Sequence, residues 1–450
     1  MSSTANDGAL GASGSSSSEL PQGDHVKESD IVQPGNHVIL QFENGDDSYV
    51  FAQMKKGARV KIRRKQYSVD RLIGAKYGSV FEVEKRGFKR VADKDPDDSI
   101  FELNAADADA DNRHLTDTNT AQKLHSDEIT ELKSSGASGE EILHKLVKNS
   151  STFHTKTKFS QAKYLKRKRQ KYAPRLRIIR PCGQTLVQCM YARNSHRILK
   201  LRPDGLAQLL HRANVYSGST VMVVDSTSSL VLGTVMERLG GHGVALNIYL
   251  QSHPSLVILD RFNFKPNEKA VNVNYPFGRM DRQRLLREGK PLPDEYNGTK
   301  KSLSDRDAYT VMKSGVDSLI MVTDVDIPSI ASTLIPFLSP GQYFAIFSPF
   351  MQGLLEAYTT LKESGLAVHL QLTETWLREI QILDGRTRPS MTMEDGGGYI
   401  LSGICTHTKA WADLPEIEVP SEAMETESLS ESATTTKANP ETDNEQGTNQ

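Results

Sequence analysis

Cysteine, tryptophan and long apolar runs are all scarce in this chain. Its three cysteines (Cys182, Cys189 and Cys405) form an odd set without metal-ligand spacing, which argues against a disulfide scaffold or a structural metal and fits a reducing compartment. No stretch approaches the roughly 18 consecutive apolar residues that a bilayer span needs, so no transmembrane helix is expected. Met1-Ser2-Ser3-Thr4-Ala5-Asn6-Asp7 has neither a basic n-region nor an apolar h-region, and secretion is not expected. The histidines are scattered, and no Ser/His/Asp or Cys/His set of a nucleophilic enzyme stands out.

Net charge is also nearly absent, at -1, but the balance hides segregation. The tail from Leu414 has nine acidic residues against Lys437 alone, and residues 1–30 have five against Lys27, which leaves +11 for residues 31–413. A basic body between acidic tails suggests a polyanionic partner. The 450 residues leave room for two domains plus flexible segments. Residues 1–30, rich in Ser, Gly and Ala, and the Glu/Thr/Ser-rich tail 414–450 are expected to be disordered, because neither can bury enough apolar surface to offset ordering entropy.

From 31 to 92 short β-type runs alternate with turn signals. They are His37–Phe42, Ser48–Ala52, Ala58–Ile62 and Ser79–Val83, with Asn44-Gly45 a tight-turn dipeptide. They predict a small antiparallel β-barrel domain. An acidic loop is expected over 93–116 and a helical basic linker over 117–176. Within that linker Ser138-Gly139-Glu140-Glu141 fits a capping box, with Ile142, Leu143, Leu146 and Val147 at helical spacing. From 177 to 413 strands (Thr220–Asp225, Val244–Leu250, Asp317–Thr323, Tyr343–Phe347) alternate with helices (Ser229–Leu239, about Pro328–Leu338, Met351–Lys362), and β-rich stretches 367–383 and 399–407 come last. The reading is α/β: a mostly parallel sheet with helices on both faces, closed by an antiparallel hairpin. Residues 262–310 are polar and read as a mobile insertion.

The turn after the first strand of that sheet, Asp225-Ser226-Thr227-Ser228-Ser229-Leu230-Val231, lies where a nucleotide-binding α/β protein needs glycines. Thr227, Ser229 and Val231 occupy the three glycine positions of an Asp-x-Gly-x-Gly-x-Gly pattern, and the second strand ends in Asn247-Ile248-Tyr249-Leu250-Gln251 without the acidic residue that would hold a ribose. The site therefore reads as degenerate. Asp326-Ile327-Pro328 resembles the Asp-Leu-Pro of some base methyltransferases, but the catalytic carboxylate is expected nearer Val322. No catalytic residue, metal ligand or cofactor is assigned.

Basic stretches are the stronger signal. Eleven Lys/Arg and no acid lie between Lys156 and Arg180, and Lys163, Lys166, Arg167, Lys168, Arg169 and Lys171 are assigned to phosphate contact. Nuclear import or plain solubility would also account for such density. Arg63, Arg64 and Lys65 belong to a second patch on the β-domain, and Arg378, Arg386 and Arg388 follow Thr373-Glu374-Thr375-Trp376 near the C-terminus. Trp376 itself is assigned to a subunit interface.

Several stretches resemble one family: Ile73–Val83, Asn119–Leu124, Asn149–Phe153 running into Phe159–Tyr164, Thr373–Arg378 and Gly396–Gly403. Across about Val32 to Cys405 the chain is similar to the non-catalytic subunits of tRNA (adenine-58-N1)-methyltransferases. The resemblance implies an N-terminal β-barrel joined to a Rossmann-like, class I methyltransferase-type domain that no longer binds cofactor. It also implies a catalytic partner subunit in a 2+2 heterotetramer, with tRNA spanning both subunit types. A nuclear location is expected. The alternative reading is a self-sufficient S-adenosylmethionine-dependent RNA methyltransferase with an atypical cofactor loop, and a third is a scaffold with no RNA role.

Overall fold

The computed structural model describes residues 30–43, 49–63, 65–84, 87–91, 121–280, 308, 310–382, 387–391 and 396–406. The expected Asn44-Gly45 turn, the acidic loop 93–116, most of the 262–310 insertion, both tails, Arg64 and Arg386 lie outside these residues.

The N-terminal part is antiparallel. Its strands are β1 (His37–Phe42), β2 (Tyr49–Gln53), β3 (Arg59–Ile62), β4 (Lys65–Ser68), β5 (Val80–Glu84) and β6 (Gly87–Val91). Three helices follow, α1 (Ser126–Ser135), α2 (Gly139–Lys148) and α3 (Lys158–Tyr172), and then β7 (Arg175–Ile179). β7 returns to the first sheet and completes the order β2-β1-β7-β5-β6, while β3 and β4 form a separate hairpin. The expected domain boundary at 176/177 therefore falls inside a strand. Its Leu176 and Ile178 join Val38 and Leu40 in the core of the N-terminal domain, and that burial draws the segment back across three helices.

β1 shows no polar alternation because both of its faces are covered. Val38 and Leu40 face the small core, whereas Ile39 belongs to the large core of the second domain.

The helical module is held by sequence-local chemistry. Ser138 Oγ accepts the Glu141 amide at 3.2 Å and the Glu141 carboxylate accepts the Ser138 amide at 3.1 Å, forming the expected capping box. Gly139 is needed for close packing, since a Cβ there would stand 2.5 Å from the Cβ of Ala173.

The second domain contains α4 (Gly183–Asn194), α5 (Pro203–Arg212), β8 (Thr220–Asp225), α6 (Leu230–Leu239), β9 (Val244–Tyr249), α7 (Pro266–Ala270), β10 (Asn272–Pro276) and β11 (Val316–Val322). After them come α8 (Ile327–Leu334), β12 (Leu338–Ser348), α9 (Met351–Glu363), β13 (Ala367–Glu374), the short strands β14 (Ile380–Gln381) and β15 (Arg388–Pro389), and β16 (Tyr399–Cys405). The sheet order is β10-β9-β8-β11-β12-β16-β13. Neighbours from β10 to β12 are parallel, and β16 is antiparallel to both of its neighbours. Val221 and Val223 of β8 pack with Leu186, Leu206 and Leu232 of α4, α5 and α6, and α8 and α9 cover the other face. This is a doubly wound, Rossmann-like sheet closed by an antiparallel pair.

Two expectations need correction. The insertion begins later than 262, because α7 and β10 complete the parallel edge of the sheet. β10 escaped notice because edge strands tolerate polar residues, and only Tyr275 of Asn272-Val-Asn-Tyr-Pro is buried. The helix expected to reach Leu338 ends at Leu334 and tightens into a 3-10 turn containing Pro336, after which β12 starts at once.

Candidate nucleic-acid interface

The chain runs from β8 outward to β9 and β10, then back across to β11 and β12. The carboxyl ends of β8 and β11 are thus the switch point at which such sheets bind ligands. Asp225 ends β8 in register with Val322 of β11. Asp225 Oδ2 accepts the Leu232 amide at 2.8 Å, and its Oδ1 accepts the amide and the hydroxyl of Thr227. Thr227 in turn accepts the amides of Val231 (Oγ1) and Leu230 (carbonyl), and Ser229 O accepts that of Gly233. All four amides that open α6 therefore have acceptors within the chain, leaving none for an anionic ligand.

The chain also folds over this turn from outside. Ser229 Oγ donates to the Ser255 carbonyl, and Ile258 N donates to Ser228 O at 3.2 Å. Thr227 and Val231 are fully buried. Ser228 (φ 60°) and Ser229 (φ 70°) keep a left-handed backbone that glycine would adopt without strain. S-adenosylmethionine, which the resemblance sets against this fold, does not fit the turn as built, because the amides of the first turn of α6 are already bonded and the side chains of Thr227 and Ser229 are buried where glycines would leave space. Burial pushes the Asp225 carboxyl above the ordinary range, against the lowering effect of the bonds it accepts from Thr227, Leu232 and Val231.

Asp326 is a helix cap, its Oδ1 accepting the Ser329 amide at 3.4 Å at the start of α8. The end of β9 is likewise committed to structure. Asn247 is buried and donates Nδ2 to Asn274 Oδ1 of β10 at 2.8 Å.

The basic surface is built on α3, whose residues sort into three stripes. Gln161, Leu165 and Arg169 recur every four residues and are buried toward α2. Arg169 must therefore be set apart from its basic neighbours: its side chain is buried and its Nε pairs with Glu140 Oε1 at 3.2 Å. Tyr164, Lys168 and Tyr172 form a second, half-buried stripe. Lys163, Lys166, Arg167 and Lys171 form the exposed third.

Four ammonium groups surround the two tyrosine rings. Lys156 and Lys168 lie 5.4 and 5.2 Å from the Tyr164 centroid, and Lys133 and Lys171 lie 4.8 and 5.3 Å from that of Tyr172. The β3–β4 hairpin joins this surface. Arg63, at φ 54° in its turn, donates Nη2 to the carbonyl of Gln170 near the end of α3. Burial lowers the pKa of Lys133, and Lys171 and Lys65 lower it further; Lys168 is lowered by burial, then by Lys171 and Lys156. The two basic patches, separate in the sequence, thus form one field of mutually repelling cations.

Arg378 and Arg388 are exposed elsewhere, on an arm that leaves the sheet edge opposite β10. The arm is rooted by Arg202, which is buried, binds Asp204 through two bonds of 3.0 and 2.8 Å, and donates to Thr375 O at 3.1 Å. Gly397 fits beneath it only without a side chain, as a Cβ would lie 2.4 Å from Arg202 Nη2. Beyond this root Trp376 is 72% exposed, in company with Leu377, Ile380, Ile382 and Met391.

The model of the Gcd10p family matches residues 31–278, more than half of the chain. The chain belongs to the Gcd10p family. The tRNA (adenine(58)-N(1))-methyltransferase non-catalytic subunit of Dictyostelium discoideum is 35% identical over 418 residues, covering 83% of this chain and 79% of that protein. Its Mus musculus counterpart is 29% identical and covers 86% and 90%. Among solved structures, a SAM-dependent O-methyltransferase from Thermotoga maritima aligns with a TM-score of 0.46 and 12% identity, covering 85% of this chain and 97% of that one. The fold assignment rests on strand order, not on that last likeness.

For this Gcd10p-family member, sequence reasoning overlooked Lys133, Tyr164 and Tyr172 as parts of the basic surface. The Tyr164-Lys168-Tyr172 spacing was a legible signal, since residues four apart share a helix face. The approach of Lys133 from α1 was not, because it depends on how helices pack.

Proposed function

We propose that this chain is the non-catalytic, tRNA-holding subunit of a tRNA (adenine-58-N1)-methyltransferase, working beside a catalytic subunit that supplies S-adenosylmethionine. The observation that carries this reading is the pairing of a switch point, where the amides that open α6 are all bonded within the chain, with a continuous lysine–tyrosine surface on α3 and the β3–β4 hairpin. Family membership and the names of the relatives support the same role.

On this reading the ammonium groups neutralise backbone phosphates, and the tyrosine rings offer faces to unstacked bases. A grip on both flanks of the T-loop helps extrude the target adenine toward the partner's active site. Lys163, Lys166, Arg167, Lys168, Lys171, Arg63, Arg64 and Lys65 make this contact, joined by Arg378 and Arg388 of the arm and by Arg386. The apolar arm around Trp376 covers a subunit interface in a 2+2 assembly, since contiguous exposed apolar residues mark association sites. The N-terminal strands close as a small barrel, a reading supported by the Tyr67 and Phe88 rings 5.9 Å apart between β4 and β6. The protein works in the nucleus, which imaging of a tagged chain tests.

Calorimetry separates this subunit from a self-sufficient enzyme. S-adenosylmethionine should give no saturable heat on the isolated chain and a normal isotherm with the co-expressed catalytic partner. Saturable binding to the isolated chain would overturn the reading.

A further inference from the structure

A second cationic cluster lies away from α3, at the seam between the N-terminal sheet and the switch-point turn. Arg193 lies in the last turn of α4, Arg197 four residues further on, and Arg261 in the segment after β9. Two of these guanidinium groups attend the Phe51 ring of β2, with their central carbons 3.9 Å (Arg261) and 5.3 Å (Arg193) from its centroid. Arg197 donates Nε to Ser228 Oγ at 3.3 Å, which brings it to the left-handed turn. Arg193 and Arg197 are exposed, and Arg261 is half-buried.

Local structure explains only part of this. Arg193 suits the carbonyl end of α4, and Arg261 covers an aromatic face. Neither reason covers Arg197, and both Arg193 and Arg197 act on Arg261 as like charges. Among the described residues none of the three arginines is in an ion pair with a carboxylate. The nearest acid in sequence, Asp260, bears on His37 instead, raising its pKa against burial and Arg261. Burial and the proximity of Arg193 and Arg197 hold the Arg261 pKa down, and of the groups facing it only the Cys189 thiol acts the other way. Three cations converging without a counter-charge leave a place for an anion.

We propose that Arg193, Arg197 and Arg261 form a phosphate-binding notch for the RNA backbone, with Arg193 and Arg197 gripping the phosphate and Arg261, packed on Phe51, supporting it from behind. Planar guanidinium groups suit this task because each presents two parallel N–H donors to phosphate oxygens. The inference rests on the RNA-holding reading above and extends it to a second, separate contact.

The test uses the full chain co-purified with its catalytic partner, with binding of a tRNA transcript followed by fluorescence anisotropy across a KCl series. The double variant R193A/R197A should flatten the slope of log K against log salt by about 2 units, with the melting temperature unchanged. R193K/R197K, which keeps the charge, should restore most of the slope. An unchanged slope in folded R193A/R197A overturns the notch. The α3 variant K163A/K166A/R167A/K171A in the same assay distinguishes the two ideas. If it loses slope while R193A/R197A does not, the RNA reading stands and the notch falls. If the wild type does not bind tRNA, both fall. Saturation by 5′-AMP in the wild type, lost in R193A/R197A while the RNA slope is unmoved, would assign the site to a free nucleotide and likewise overturn the proposal.

Discussion

Ser228 keeps the φ of a glycine that the chain does not have, because the crossing from β8 to α6 imposes that turn whichever residue occupies it. A left-handed non-glycine residue costs on the order of 1 kcal/mol or more. Ser228→Gly should therefore raise stability by up to about 1 kcal/mol, read from urea midpoints. Ser229→Gly should gain less, since it also gives up the hydroxyl bond to Ser255. Neither change should restore cofactor binding, because the amides at the start of α6 remain bonded to Asp225, Thr227 and Ser229. A glycine motif depends on backbone donors left unpaired as much as on missing side chains.

At the scale of elements, α2, α3, β5 and β7 meet around a small ionic cluster. Glu140 of α2 accepts from Arg169 of α3 and lies 3.8 Å from Arg175 of β7. Glu82 of β5 is buried beside it, and burial, then Glu140, pushes its carboxyl above the ordinary range more than Arg175 offsets. The folded state therefore holds this proton more tightly than the unfolded chain. Stability contributed here is lost as pH rises from the ordinary Glu value of 4.5 through the raised one. Glu82→Gln should be more stable than the wild type at pH 7, by an amount that shrinks toward pH 4.5. Urea midpoints at the two pH values check this, and a pH-independent difference would contradict it. On α3 itself, the variant K163A/K166A/R167A/K171A should flatten the tRNA salt slope by about 3 units, at about 0.7–0.9 per phosphate contact.

At the scale of the whole molecule, a single amide side chain fastens the two sheets. Asn263 Oδ1 accepts the His37 amide at 2.6 Å, and its Nδ2 donates to the His37 carbonyl at 2.8 Å, so that it pairs with the start of β1 as a neighbouring strand would. Ile39 and Tyr49 add apolar contact to the large core. Asn263→Ala leaves two backbone groups of β1 without their partner and should cost roughly 2 kcal/mol. Faster amide exchange at His37, together with a lower melting temperature, would register the loss.

Local chemistry made much of this legible in the residues alone. The period-two and period-four patterns marked most strands and helices, Ser138 to Glu141 announced its capping box, and the missing glycines at Thr227, Ser229 and Val231 warned that the turn was no ordinary cofactor loop. These signals depend on neighbours within a few positions. What the sequence could not show depends on groups far apart in the chain coming together. The return of β7 to the first sheet, the edge position of polar β10, the burial of Arg169 against Glu140 and the union of two basic patches all follow from which faces are buried together. Tertiary packing alone decided which charges of the basic run face solvent and which are spent holding helices in place.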